Sequence, residues 1–147
     1  MESSQLETVD AEPEIRDIQN LDVEQVIAIW QAAGVARPWN DARKDIAYAR
    51  RDTHSTILVA ECGGRVVATV MVGEDGHRGW VYYLAVDPAY HRRGLGRTMM
   101  AAAEDWLRAR GIWKVQLLVR EENSAVKEFY DHLGYRDTRT TCLQKIL

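Results

Sequence analysis

The chain has 147 residues, a length that suits one domain with its own hydrophobic core. Its net charge of −3 argues against broad, non-specific binding to nucleic acid, and its two cysteines lack metal-ligand spacing, so no metal is expected. No apolar run reaches transmembrane length and no signal peptide is recognisable, so we expect a cytoplasmic protein that contacts neither a membrane nor nucleic acid.

The first half of the sequence predicts a strand, two helices and a hairpin after a polar, acidic opening. Residues 1–13 are expected to form a flexible tail, and residues 14–147 a single domain. Alternating residues favour strands, apolar residues at helical spacing favour helices, and Gly63-Gly64 favours a tight turn. The predicted elements are a strand over Glu14–Gln19, helices over Asp22–Ala33 and Asp41–Arg51, and strands over Thr56–Cys62 and Arg65–Val72.

The second half predicts strands that alternate with helices. The predicted elements are strands over Trp80–Val86 and Trp113–Val119, helices over Gly94–Arg110 and Asn123–His132, and a closing strand pair over Tyr135–Leu147. A hairpin followed by strand–helix–strand units predicts an α/β fold of the mixed α+β kind. We expect a central mixed sheet of about six to seven strands flanked by about four helices.

The stretch Leu84–Met100, LAVDPAYHRRGLGRTMM, predicts an anion-binding turn between a strand and a helix. Backbone N–H groups in the first turn of a helix lack intrahelical partners, and with the helix dipole they favour a phosphate or pyrophosphate. Glycine lets such an anion approach the backbone closely. The residues expected there are Arg92, Arg93, Gly94, Leu95 and Gly96, with Arg97 and Thr98 one turn further. The alternative for the three arginines is a solvated helix start.

Two motifs in this order resemble those of the GNAT superfamily of acetyl-CoA-dependent N-acetyltransferases. His91–Gly96 resembles the family's Arg/Gln-x-x-Gly-x-Gly/Ala signature, with histidine at its first position. Asn123–Tyr130 followed by Leu133–Tyr135 resembles the family's second motif, Asn-x-x-Ala…Phe-Tyr…Leu-Gly-Phe/Tyr. The resemblance extends over residues 14–147, and the segment Arg37–Asp41, RPWND, resembles that of a small bacterial branch of the family.

The resemblance implies a GNAT-like fold in which the fourth and fifth strands splay apart. The pantetheine arm of acetyl-CoA would lie between them and bond to the backbone of Leu84, Ala85 and Val86. It also implies that Asn123 contacts the cofactor and that Tyr130 lies near the CoA sulfur as the general acid. Packing in the core is the alternative role for Tyr130.

The resemblance places the acceptor on the side of the loop between the first two helices. Trp39, Asn40 and Asp41 are therefore expected to bind the acceptor amine, and Tyr82 and Tyr83 are further candidates. The general base is not assigned, because relatives carry a glutamate where this chain has Leu118 or Trp80. Other candidates are Glu74, Asp75, His77, Asp41 and Glu121, and an ordered water or an acceptor that arrives neutral are the alternatives.

The predicted activity is transfer of an acetyl group from acetyl-CoA to a primary amine of a small molecule, a peptide or a protein. The acting species is expected to be a monomer or a homodimer. The alternative is a non-catalytic module that binds acetyl-CoA as a sensor or regulator. A nucleoside triphosphate site is disfavoured because the chain has no GxxxxGK[ST] pattern.

Overall fold

The computed structural model describes residues 12–147. Contacts divide the chain into two compact units, one that ends at Leu117 and a second that covers Leu118–Leu147. Residues 1–11 of the predicted tail lie outside the described residues, and the single domain over residues 14–147 stays a prediction. No helix among residues 12–147 has the length and apolar composition needed to cross a membrane.

The first unit contains a sheet and three helices, and the second unit contains one helix. In chain order the elements of the first unit are β1 (Glu14–Asp17), α1 (Val23–Ala32), α2 (Ala42–Ala49), β2 (Ser55–Cys62), β3 (Arg65–Glu74), β4 (Gly79–Val86), α3 (Leu95–Arg108) and β5 (Val115–Gln116). The second unit contains α4 (Ser124–His132). The mixed sheet and the four helices agree with the prediction.

Within residues 12–147 the sheet has five strands, in the order β1-β2-β3-β4-β5. Neighbouring strands are antiparallel except β4 and β5, which are parallel. Ile57 and Val59 of β2 pack with Trp30 of α1 in one apolar cluster. Because side chains alternate along a strand, the buried Leu58 and Ala60 point to the opposite face, so the sheet is covered on both faces.

The predicted closing strand pair over Tyr135–Leu147 is wrong, so the described part of the chain forms a sheet of five strands and not six to seven. The fifth strand is also shorter than predicted, since only Val115–Gln116 of Trp113–Val119 is paired. A strand forms only where a neighbouring backbone supplies ladder partners. The side chains of residues 136–147 are exposed, Leu143 and Ile146 included, and no neighbouring strand pairs with this stretch.

The start of β4 is in close contact with α3. A Cβ added to Gly79 would lie 2.5 Å from Cδ1 and 2.8 Å from Cδ2 of Leu107, a buried residue of α3. The Gly79 N–H also donates to the carbonyl of Lys114, just before β5, at 2.9 Å. Glycine at this position therefore allows strand and helix to approach closely.

We expect Gly79→Ala to lower the free energy of unfolding by about 1–3 kcal/mol, because the added methyl group must displace Leu107. Urea denaturation of the wild type and the variant measures this loss. In a Leu107→Ala background the same substitution should cost much less, since the obstructing side chain is gone. An equal cost in both backgrounds would show that the contact with Leu107 is not the cause.

Candidate active site

The segment between β4 and α3, residues 87–98, which we call the anion turn, has a backbone suited to an anion. Asp87 is the first residue of this segment, and it caps the short 3-10 helix Pro88–Tyr90, since its Oδ1 accepts the backbone N–H of Ala89 at 3.0 Å. Arg92 then has a φ of 65° and Gly94 a φ of 74°, both in the left-handed region. These residues reverse the chain so that α3 follows closely on the end of the strand.

Helix α3 begins at Leu95. Arg92 and Arg93, which were predicted to lie in its first turn, therefore precede the helix. Left-handed residues cannot continue a right-handed helix, and Gly94 instead occupies the N-cap position. A glycine cap has no side chain that could accept the first N–H groups of the helix, those of residues 95–97. These donors lie at the positive end of α3 and are therefore suited to bind an anion.

Cationic side chains accompany the anion turn. Arg92, Arg93 and Arg97 are all exposed, so a concentration of positive charge occurs on a chain whose net charge is −3. Thr98 directs its hydroxyl elsewhere, since its Oγ1 donates to the carbonyl of Gly94 at 3.0 Å. The structure thus brings the predicted residues of the turn together, with the Thr98 hydroxyl bonded to the helix backbone.

The predicted pantetheine-binding segment, Leu84–Val86, is paired with β3 along one side. Its last two residues lie opposite Thr69 and Ala68. On the other side, the parallel ladder with β5 ends at Trp80. The segment therefore lies beyond that ladder, where an extended ligand could take the place of a further strand.

A β-bulge interrupts β4 at Tyr83. The register between β3 and β4 shifts between Thr69 and Met71, and Tyr83 has a φ of 52°. The Tyr83 ring stacks on the indole of Trp30, with centroids 3.7 Å apart and planes 7° apart. Thr69 Oγ1 donates to the Tyr83 carbonyl and accepts from Trp30 Nε1, both at 2.9 Å. Buried contacts thus fix the bulge.

The Tyr83 hydroxyl connects β4 to α2. Its Oη donates to Oδ2 of Asp45 at 2.6 Å. Burial raises the pKa of the Tyr83 phenol, and the Asp45 carboxylate adds to the effect. Sequence analysis named Asn40 and Tyr83 and missed Asp45. The sequence did contain one indication of such a partner, because a tyrosine in a buried strand requires a hydrogen-bond partner for its hydroxyl.

The predicted acceptor loop forms a tight turn between α1 and α2. The Asn40 N–H donates to the Arg37 carbonyl at 3.0 Å, with Pro38 at the second turn position that favours proline. Trp39 stands at the tip with 67% of its surface exposed. Asp41 caps α2, because its Oδ1 accepts a backbone N–H of the first helical turn at 3.2 Å.

Two of the acids considered as bases, Glu74 at the end of β3 and Asp75 in the loop that follows, already have hydrogen-bond partners. Oε1 of Glu74 lies 2.7 Å from Nδ1 of His54, and its Oε2 accepts the Gly76 N–H at 2.6 Å; the His54 contact is the larger cause that lowers the pKa of Glu74. Asp75 accepts the Arg78 N–H at 2.7 Å, the main cause that lowers the pKa of Asp75. A lowered pKa makes each carboxylate a weaker base.

Asn123 directly precedes α4, and Tyr130 lies on that helix. Both residues belong to the second unit, whereas the anion turn belongs to the first. The side-chain oxygen of Asn123 caps α4. The half-buried Tyr130 ring makes edge contacts with Phe129 and Tyr135, at centroid distances of 5.1 and 5.6 Å. Burial raises the pKa of Tyr130 to about 12, so the phenol is protonated at neutral pH and can donate a proton.

Comparison with known proteins identifies the family to which the chain belongs. The model of the acetyltransferase (GNAT) family matches residues 15–135. An acetyltransferase of Yersinia pestis (strain Pestoides F) is 42% identical over 134 residues, which are 91% of this chain and 95% of that protein. The chain belongs to the GNAT family of acetyltransferases. The resemblance predicted from its two motifs is therefore confirmed.

Solved structures support the fold of this acetyltransferase. The structure of AAC(6')-Iy in complex with the bisubstrate analogue CoA-S-monomethyl-acetylneamine is 14% identical, with a TM-score of 0.79 over 93% of this chain and 99% of that one. The ribosomal-protein-S18-alanine N-acetyltransferase of Escherichia coli is 28% identical, with a TM-score of 0.72 over 83% of this chain and 76% of that one.

We expect Gly94→Leu to weaken acetyl-CoA binding severely, because a side chain there would lie beside the uncapped N–H groups of α3. Loss of even one hydrogen bond to a charged group, roughly 1.5–3 kcal/mol, corresponds to at least about a tenfold rise in Kd. Isothermal titration calorimetry with acetyl-CoA measures the change, and a bulky residue at Gly96 should act in the same direction.

Gly111→Leu is the matched control. Gly111 has a left-handed φ of 76°, close to the 74° of Gly94, and a Cβ added at either glycine would meet nothing within 4 Å. Both variants should lose comparable stability from backbone strain, about 1–2 kcal/mol. Only Gly94→Leu should lose affinity. An unchanged Kd for both the Gly94 and the Gly96 variants would mean that the anion site is misplaced.

Proposed function

We propose that this acetyltransferase transfers an acetyl group from acetyl-CoA to a primary amine of a small molecule, a peptide or a protein. The observation that carries the proposal is the anion turn, in which uncapped N–H groups and three exposed arginines follow directly on the end of β4. The neighbour AAC(6')-Iy, named as bound to a CoA bisubstrate analogue, has the same fold and supports this reading.

The anion turn fits the pyrophosphate of acetyl-CoA by charge and by donor geometry. The N–H groups of residues 95–97 would bond to phosphate oxygens, and Arg92, Arg93 and Arg97 would supply positive charge. The absence of a Cβ at Gly94 leaves room beside those donors. The pantetheine amides would then extend along the backbone of Leu84–Val86, beyond the end of the β5 ladder.

Acetyl transfer requires a neutral amine, a polarised thioester carbonyl and a proton for the leaving sulfur. A backbone N–H in the segment Leu84–Val86 would polarise the carbonyl. Tyr130 would protonate the departing thiolate, a role that its raised pKa of about 12 allows because the phenol keeps its proton at neutral pH. Asn123 would contact the cofactor at the start of the same helix.

The acceptor would bind on the side of Trp39, Asn40 and Asp41. The exposed indole of Trp39 offers an apolar or cation-binding face. The Escherichia coli neighbour is named for an alanine of ribosomal protein S18, and AAC(6')-Iy is named as an aminoglycoside N-acetyltransferase, so both peptide and small-molecule amines belong in the set to be tested.

Release of the CoA thiol should be measured with a polyamine, an aminoglycoside, a peptide with a free N-terminal alanine and a lysine-containing peptide blocked at its N-terminus. We expect turnover with at least one class. Tyr130→Phe should then lower kcat by about 10²–10⁴-fold, as for loss of a general acid, with little change in acetyl-CoA affinity. Because the pKa of Tyr130 is raised to about 12, the wild-type rate should not fall through its deprotonation as the pH rises to about 10.

Tyr48→Phe serves as the control, because the Tyr48 side chain is 65% exposed on α2 and has no part in the proposed site. Its kinetics should match the wild type. Tight binding of acetyl-CoA without thiol release for any amine would contradict the proposal and favour the non-catalytic sensor.

A further inference from the structure

Tyr83 has a backbone conformation that bulky residues rarely adopt. Its φ of 52° lies in the left-handed region, a strained conformation that persists only if surrounding contacts impose it. Those contacts are present, since the ring stacks on the fully buried Trp30 and the carbonyl accepts from Thr69. Strain that is maintained in this way often accompanies a functional site.

The phenol of Tyr83 ends at a half-buried carboxylate. The distance of 2.6 Å between Oη and Oδ2 of Asp45 is that of a charge-assisted hydrogen bond. This hydrogen bond joins β4 to α2, and the side chain of Asn40, from the predicted acceptor loop, acts to lower the pKa of the same phenol. The side chains of Tyr83 and Asp45 are both only partly buried, so a small ligand can reach them.

The position of Tyr83 along the chain links this carboxylate to the reaction. Tyr83 directly precedes Leu84–Val86, the segment to which the proposed function assigns the acyl end of acetyl-CoA. Asp45 therefore lies one tyrosine side chain away from that segment. In contrast, Glu74 is bonded to His54 and Asp75 to groups of its own loop, and both carboxylates have lowered pKa values.

We propose that Tyr83 and Asp45 bind the amino group of the acceptor and receive the proton that it loses. The inference rests on the proposed acetyl transfer. Tyr83 would be the residue in contact with the amine, and Asp45 the residue that positions the Tyr83 hydroxyl and takes its proton.

Acetyl transfer to a neutral amine replaces one C–S bond by one C–N bond and moves one proton from nitrogen and one to sulfur. The amine nitrogen attacks the thioester carbon, and the new C–N bond forms as the C–S bond breaks. The nitrogen's proton moves to Oη of Tyr83, while the original Tyr83 proton moves to Oδ2 of Asp45. The electron pair of the C–S bond stays on sulfur, which takes the proton of Tyr130. Asp45 then loses a proton to water and Tyr130 regains one, so both return to their starting states.

Two substitutions remove the relay with little change in shape. Tyr83→Phe keeps the ring on Trp30 and removes the hydroxyl, and Asp45→Asn keeps the size of the side chain and removes its charge. With an amine from the panel that is turned over, each should lower kcat/KM for the amine by about 10²–10³-fold, while Kd for acetyl-CoA stays within about twofold. Asp45→Glu, which keeps the carboxylate, should retain more activity than Asp45→Asn.

The matched controls are Tyr48→Phe on α2 and Asp105→Asn, an exposed carboxylate of α3 that pairs with Arg108. Both should leave the kinetics unchanged. Values of kcat/KM for Tyr83→Phe and Asp45→Asn within about twofold of the wild type would overturn the inference.

A binding measurement separates failure of this inference from failure of the proposed function. The Trp30 indole N–H, bonded to Thr69 and stacked under Tyr83, reports on the cluster by NMR. Titration with propylammonium chloride should shift this resonance saturably in the wild type and not in Asp45→Asn. If no amine is acetylated but this difference is seen, acetyl transfer is refuted and the amine site stands. If the wild type shows no saturable shift, the amine site is refuted. A native Trp30 resonance in each variant shows that it is folded.

Discussion

The stacking of Tyr83 on the buried indole of Trp30 fixes the point at which β4 changes register against β3. A bulge adds one residue to one strand, so every later side chain is shifted relative to an unbroken ladder. Ala85, which follows the bulge, is buried against the sheet core. Without the extra residue, the side chains after position 83 would exchange faces, and the buried positions of the strand end would be exposed.

Strand β4 holds together the parts of the candidate site that belong to the first unit. At its start, Gly79 permits the close approach of Leu107, which sets the distance between the strand and α3. In its middle, the bulge directs the Tyr83 hydroxyl at Asp45. At its end, the chain passes through Asp87 into the anion turn, where α3 begins. One strand thus fixes the position of the helix that would bind phosphate and of the side chain that would face the acceptor.

Elements whose signals are local could be predicted from the sequence. Gly63-Gly64 predicted the hairpin in which Cys62 pairs with Arg65, and the helix predicted from Asp41 does start with Asp41 as its cap. The signature containing Gly94 marked the anion turn. Each of these depends on the conformational preference of a few adjacent residues, which a single sequence displays directly.

Features that depend on distant partners could not be predicted in the same way. The residues after Tyr135 were predicted as strands, although a strand requires a neighbouring backbone that composition does not reveal. Asp45 was missed because it is ordinary in its own helix, and its importance comes only from Tyr83, which is 38 positions away in the sequence. The left-handed φ of Tyr83 is likewise imposed by Trp30 and Thr69 and contradicts its own preference.

Charges of opposite sign lie at the two parts of the proposed site in the first unit. The arginines of the anion turn supply positive charge where a pyrophosphate would bind, and Asp45 supplies negative charge where an ammonium group would approach. Left-handed backbone at a non-glycine residue occurs at Tyr83 and at Arg92. At Tyr83 the stacked Trp30 and the hydrogen bond from Thr69 impose it. Local preference is thus overruled at Tyr83, next to the segment where a thioester and an amine would have to meet, which is where a fold selected for catalysis is expected to sacrifice stability.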